Sequence, residues 1–170
     1  TDGIHWENPC AVLEPLPGSS WEADEINRPA VIHHNGQYMM WYSGQMKPYL
    51  EDGRSVIGLA VSSDGIHWER RQEPVMVPDQ AWELQAIMCP HVLFDEEDQL
   101  YKMWYAAGCN HEPDAIGYAS SPDGIHWEKY EDNPVLSGDK AHLWEQHKVV
   151  APCVIKEKRL VLYVLCGPSP

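Results

Sequence analysis

Apolar and polar residues alternate over short stretches of this chain, and each stretch is cut off by Gly, Pro, Asn or Asp. A period of two marks half-buried β-strands, and no window sustains the 3.6-residue period of a helix. Pro29–His34 reads as a strand, Asn35-Gly36 as a tight turn, and Gln37–Ser43 as the antiparallel return. A loop over Gly44–Gly53 leads to a third strand, Ser55–Ser62; Asp64-Gly65 turns the chain and His67–Glu73 makes a fourth. The order then repeats as strand Pro90–Phe94, turn Asp95–Asp98, strand Leu100–Ala106, loop Gly108–Asp114, strand Ala115–Ser120, turn Asp123-Gly124 and strand His126–Tyr130. A third pass runs through Pro152–Lys156 and Leu160–Leu165, and Thr1–Glu7 reads as a turn and a single strand.

The repetition is explicit in the residues. Asp-Gly-Ile-His-Trp-Glu occurs unchanged at Asp2–Glu7, Asp64–Glu69 and Asp123–Glu128, and Trp-Glu opens each unit at Trp21, Trp82 and Trp144. Identity at a fixed interval of about 60 residues signals an array of one supersecondary unit. Four short antiparallel strands per unit predict an all-β fold of propeller blades, about 2.5 to 3 of them in one domain over 1–170. The blades fall at approximately 21–80, 82–140 and 144–170 plus 1–20. One leading strand, two blades and a trailing pair make eleven strands, which leaves edges to be covered. The chain is therefore expected to be a partial propeller or one completed by self-association, which makes a homo-oligomer a candidate assembly.

Composition narrows the partners. A net charge of −14 argues against tracking nucleic-acid phosphates and against anionic membrane surfaces. Eight Trp and eight Tyr against one Phe suit half-buried sheets and sugar-binding clefts. There is no apolar run long enough for a membrane helix, which predicts a soluble chain. The five Cys, Cys10, Cys89, Cys109, Cys153 and Cys166, show no zinc-type spacing; as free thiols they favour a reducing, cytoplasmic compartment over secretion. No metal and no cofactor is called for.

Trp21-Glu22 with Pro29 and Tyr38–Gly44, Trp82-Glu83 with Pro90 and Tyr101–Gly108, and Ile116–Trp127 with Asn133-Pro-Val-Leu136 together resemble the five-bladed propeller glycosidases. That superfamily includes arabinanases of glycoside hydrolase family 43, beta-fructosidases and the mannosyl phosphorylases of family 130. A weaker resemblance joins Ser62–Trp68 and Ser120–Trp127 to the Asp-box hairpin of sialidases. The first resemblance implies a carbohydrate-active protein working on glycosidic bonds in a central funnel, with acids at the start of innermost strands, often directly before Pro. Here Arg28, Cys89 and Ala151 precede that Pro, so the usual Asp-Pro is missing.

Alignment of the units against one another separates scaffold from candidate site. Asp64, Gly65, Trp68, Asp123, Gly124 and Trp127 recur and are expected to build the blade, as are Glu22, Glu83 and Glu145 through a repeated hydrogen bond. The varying columns lie just before the innermost strand: Asp24, Glu25, Asn27 and Arg28; then Gln85, Ala86, Met88 and Cys89; then His147, Lys148, Val150 and Ala151. Glu25 and Asp24 are the candidate catalytic acids, with Arg28, Asn27, Gln85, His91, His147 and Lys148 binding substrate. Hydrolysis asks for two carboxyls across the bond, and Glu112 or Asp114 could supply the second. Phosphorolysis instead asks for a cationic cradle, for which Arg28, Lys148 and His147 are placed. Two rivals stand beside these: an ion pair of Arg28 with Glu25 or Asp24, and a noncatalytic sugar-binding or self-assembling module using Tyr42 or Tyr105 as an aromatic floor. Cys89, His91 and Cys153 could also meet near the axis around a soft metal, although packing is the default for buried Cys.

Overall fold

A computed structural model of the chain describes residues 4–5, 9–47, 50, 52–109, 112–139, 141 and 148–156, and the backbone of 160–164. Eleven strands lie among them. β1 (Glu25–His34), β2 (Gln37–Met46), β3 (Arg54–Ser62) and β4 (Glu69–Arg70) form one antiparallel blade. β5 (Ala86–Asp95), β6 (Leu100–Cys109), β7 (Glu112–Ser121) and β8 (Glu128–Lys129) form the second, which β9 (Leu136–Ser137) extends along β7. β10 (Pro152–Lys156) and β11 (Leu160–Val164) pair as the start of a third. A single parallel bridge, Ser55 to Ala86, connects the first two blades. One turn of 3-10 helix, Ala81–Glu83, precedes β5.

The inner strands begin upstream of the expected Pro29 and Pro90, β1 at Glu25 among half-buried polar residues and β5 at Ala86 among buried apolar ones. The fourth strands are shorter, two residues each, and the reason is local. Asp64-Gly65 does not make the expected two-residue hairpin. The Asp64 Oδ1 accepts the Ile66 and His67 amides at 2.8 Å while Oδ2 meets His67 Nδ1 at 2.7 Å, so a side chain replaces the strand ladder across the loop. Ser62 Oγ accepts the Gly65 amide, and Trp68 Nε1 donates back to Gly65 O. Asp123, Ser121, His126 and Trp127 repeat every one of these bonds. Gly65 and Gly124 sit at φ of 76° and 75°, which an L side chain rarely adopts. Of the first copy of the motif only Ile4 and His5 lie within the described residues, and Trp144-Glu145 lies outside them.

The Asn-Pro-Val-Leu motif is part of the blade. Asn133 donates to Tyr118 O and accepts from Tyr118 N, both at 2.9 Å, before Leu136 pairs with Ile116.

Each blade buries both faces. Met39, Trp41, Ile57 and Leu59 of the first blade pack against Ile87, Val92, Met103 and Tyr105 of the second. Ala86, Met88, Trp104, Ala106 and Ile116 on the second blade's far face meet Val149 and Val154 of the third unit. On the near face of the first blade, Trp21, Met40, Tyr42 and Val56 are covered by Leu13, Ile26 and Trp68. The inner strands stand side by side, with the His34 and Phe94 rings stacked at 3.8 Å.

The expected Trp-Glu hydrogen bond is present in both described copies. Glu22 is 1 % exposed, accepts the Tyr42 hydroxyl at 2.7 Å and pairs with Arg70 at 3.1 Å. Glu83 is fully buried, accepts the Tyr105 hydroxyl at 2.8 Å and pairs with Lys129 at 2.8 Å. Burial, reinforced by these carboxylates, pushes both phenols far above their ordinary range. Tyr42 and Tyr105 are thus inside the blades, and the reading of either as the floor of a sugar cleft is wrong. The glycines opposite them leave no room for a methyl: a Cβ on Gly58 would lie 2.7 Å from the Tyr42 ring, and one on Gly117 2.4 Å from Tyr105.

Candidate functional site

The residue before proline is the focus of the three units. Arg28, Cys89 and Ala151 all hold left-handed backbone, at φ of 52°, 54° and 53°. Proline disfavours right-handed helical geometry in the residue before it, and in β1 and β5 the ladder slips at the same place, between Asn27 and Ala30 and between Met88 and His91. The result is a bulge that turns the pre-proline residue out of the ladder. The equivalent residues of adjacent units meet: Arg28 donates through a guanidinium nitrogen to Cys89 Sγ at 2.9 Å, and the Ala151 amide also reaches that sulfur. Three units therefore converge at the residue before the proline of each inner strand.

Cys89 is inert there. It is 3 % exposed and its amide is held by Ser43 Oγ at 2.9 Å. Burial raises the thiol pKa, with Arg28 opposing only in part, so the sulfur stays a neutral acceptor.

The candidate acids stand beside this point on β1. Asp24 is exposed, and its Oδ2 accepts the Lys47 amide at 2.6 Å. Glu25 is half-buried and accepts Asn27 Nδ2 at 2.6 Å. Arg28 reaches Cys89, not Asp24 or Glu25, so the expected local ion pair is not what holds its guanidinium. Gln85 is half-buried at the start of β5, with its carbonyl accepting the Ser55 amide at 3.4 Å. His91 Nε2 contacts Val154 O at 2.9 Å and ties β5 to β10. Lys148 pairs with Glu112 at 2.8 Å, which occupies both a cradle cation and one of the candidate partner acids. His147 lies outside the described residues. The structure thus gathers Glu25, Asn27 and Arg28 at one end of β1 and leaves Lys148 engaged with the second unit's loop. No group of three metal-ligating side chains forms among the described residues.

Ser43, Gln45 and Ser55 belong to the same neighbourhood and went unnoticed in the sequence. All three are at most 2 % exposed. Cross-strand register puts Glu25 opposite Gln45, Gln45 opposite Ser55 and Asn27 opposite Ser43. Directly paired residues point to one face, here the face that further along carries Trp41, Ile57 and Leu59 toward the second blade. The signal lay in the unit alignment: where the first blade has Glu25, Asn27 and Ser43, the second has Ala86, Met88 and Ala106 in the same register.

Two cavities open between the blades away from this cluster. One, of about 410 Å³, is lined by His34, Gln37, Met39, Arg71 and Tyr101 at the opposite end of β1 from Glu25; the other, of about 440 Å³, lies between Val75, Gln80 and Trp127. Neither is lined by a candidate catalytic or substrate-binding residue; Asp123 and Trp127, expected to build the blade, line one each.

The profile of the Glycosyl hydrolases family 32 N-terminal domain matches residues 1–168. The chain belongs to this family. It is similar to 1,2-beta-oligomannan phosphorylase of Thermoanaerobacter sp. (strain X514), 31 % identical over 123 residues that cover 69 % of this chain and 41 % of that protein. Among solved structures it resembles a glycosyl hydrolase from Bacteroides ovatus, 26 % identical with a TM-score of 0.62, over 69 % of this chain and 37 % of that one. A structure from work on the GH130 family of mannoside phosphorylases, with glycoside hydrolases that target beta-1,2 mannosidic linkages in Candida mannan, aligns at TM-score 0.68 and 23 % identity. It covers 89 % of this chain and 47 % of that one, and shows the fold alone. The family 32 domain here is thus an all-β partial propeller, and it spans about half the length of the curated relatives it matches. Among its described residues no helix is long and apolar enough to cross a membrane.

Proposed function

We propose that this family 32 domain forms half of a funnel in which a protein of its kind acts on glycosidic bonds. The observation that carries the reading is the meeting of the pre-proline residues of three units, Arg28 on Cys89 with Ala151 beside them, next to a polar patch that the second blade lacks. Glu25 is the acid, held by Asn27, and Asp24 stands at the rim. Arg28 and Asn27 bind substrate, with Gln85, His91 and Lys148 as further binding residues and His147, outside the described residues, kept as a candidate from the sequence. The similarity to a mannan phosphorylase makes β-linked mannosides with inorganic phosphate the first substrates to test, and Arg28 the first cation to meet phosphate.

The test is turnover of a panel of β-mannosides and other glycosides, with and without phosphate, by the protein and by Glu25→Gln. Loss of about two orders of magnitude or more is expected for a general acid. Turnover unaffected by that change would remove Glu25 from the site.

A second reading, a noncatalytic sugar-binding or self-assembling module, is favoured by one feature: of the candidate partner acids Glu112 is paired with Lys148, and a thiol stands before the second blade's proline. Self-association that completes the ring is tested by light scattering over a range of concentrations; a strict monomer would exclude it.

A further inference from the structure

The polar patch of the first blade carries an unbalanced set of hydrogen-bonding atoms. Asn27 Oδ1, Gln45 Oε1 and Ser55 Oγ are all inaccessible to solvent and have no partner among the described residues. Orientation at Asn27 is fixed, because its Nδ2 donates to Glu25 Oε1 and so turns Oδ1 away from the carboxylate. Gln45 and Ser55 are directly opposite across β2 and β3, 2 % and 0 % exposed. Burying an amide oxygen or a hydroxyl without a partner costs about 1–3 kcal/mol. The scaffold does not demand a polar group at the Asn27 position, where the second blade buries Met88 in apolar packing, nor a side chain at the Gln45 position, where it has Gly108.

We propose that one buried water molecule is bound between Asn27, Gln45 and Ser55, and that it positions Glu25. The stoichiometry singles out water. Two of the three atoms are amide oxygens, which only accept, and the third is a hydroxyl, which can donate. A water donates both protons to Asn27 Oδ1 and Gln45 Oε1 and accepts the Ser55 hydroxyl, making the three bonds typical of buried water. Gln45 and Ser55 are direct cross-strand partners, with Cβ atoms about 4.5–5.5 Å apart, and Asn27 is the diagonal neighbour of Gln45 at about 7–8 Å, so the two amide side chains and the hydroxyl can reach one water between them. The consequence reaches the acid one bond further on: the water holds Asn27, and Asn27 holds one oxygen of Glu25. Gln45 and Ser55 are then positioning residues, linked to the carboxylate through Asn27 without touching substrate. This role rests on the reading of Glu25 as the acid, whereas the hydration site itself does not.

Two measurements separate those claims. A crystal structure of the protein at about 1.5 Å should show one solvent peak within roughly 2.6–3.2 Å of all three atoms, absent in Ser55→Ala. A dry patch, or a peak with six or more oxygens at about 2.3–2.6 Å, the coordination of a calcium-like cation, would overturn the proposal. The second measurement is the pH profile of kcat. Ser55→Ala should lower kcat about tenfold at nearly constant KM and shift the limb governed by Glu25, and Ser55→Thr should restore both. If Ser55→Ala removes the water and leaves the profile of an active Glu25 enzyme unchanged, the positioning role is wrong. If Glu25→Gln is itself fully active, the catalytic reading fails while the crystallographic result still decides the water.

Discussion

The first and second blades are built alike and used differently. Both have a buried Glu clasping a Tyr hydroxyl and a cation, Glu22 with Tyr42 and Arg70 against Glu83 with Tyr105 and Lys129. Both end in a Ser-x-Asp-Gly-Ile-His-Trp loop closed by the same bonds. They part at the start of the inner strand. There the first blade buries Ser43, Gln45 and Ser55 beside the half-buried Glu25 and Asn27, and where it has Glu25, Asn27 and Ser43 the second has Ala86, Met88 and Ala106. The second blade shows that the strands pair without polar residues at those three positions. This difference between the two described blades is the ground on which the patch is proposed as a site.

If this division is right, substitutions in shared positions cost stability and substitutions in unshared ones cost function. The largest effect is expected at Glu83→Ala. It takes the acceptor from the Tyr105 hydroxyl and from the Asp79 and Gln80 amides, and removes one of the two carboxylates on the nearly buried Lys129, for a loss of about 3–5 kcal/mol. Glu22→Ala should cost somewhat less, because Arg70 is partly exposed and also donates to Glu14 O. Chemical denaturation of both variants checks the order; equal stability to the parent in either would break the comparison.

Gly58→Ala and Gly117→Ala come next. Each drives a methyl into the Tyr ring of its own blade, and overpacking of this kind costs about 1–3 kcal/mol. Similar losses in the two variants would sharpen the case for equivalent blades. A tolerated change in only one would show that the blades differ in packing as well as in polarity.

The smallest effect is a pH dependence. Asp95 is held well below the ordinary carboxylate range by Lys102 first, then by Lys156 of β10. A depressed folded-state pKa gives stability that is complete above the unfolded value, about 3.9, and disappears as pH falls through the folded one. Asp64 behaves in the same way, through His67 first and then the loop amides. The unfolding midpoint should therefore be flat between about pH 7 and 5 and decline below about 4, with a shallower decline in Asp95→Asn. A steep loss between pH 7 and 5 would contradict this.

The architecture was legible because it is local and repeated. Asn35-Gly36, the apolar strands and the recurring hexapeptide state their geometry within a few residues of chain. The loops were misread where a side chain does the work of backbone: Asp64 accepts the amides that a ladder would have paired, so β4 shrinks to Glu69–Arg70. Tyr42 and Tyr105 were misplaced as surface platforms because the residue that buries them, a Glu some 20 positions earlier, looks from the sequence like a surface acid. The candidate site was half visible. Glu25, Asn27 and Arg28 stand out as residues that the other units lack. Gln45 and Ser55 do not, since their nearness to Glu25 depends on strand register, and the contact of Arg28 with Cys89 of the next blade was not among the readings its sequence neighbours suggested, substrate binding or an ion pair with Asp24 or Glu25.

The most direct test of the division is the melting temperature of Glu25→Ala, which gives the first blade the alanine of the second, measured with and without a saturating β-mannoside. The account predicts a melting temperature within about 2–4 °C of the parent, a change worth about 1 kcal/mol or less at this size, and no rise on adding the saccharide that stabilises the parent. A variant that melts far lower, or that keeps the full saccharide-induced rise, would contradict it.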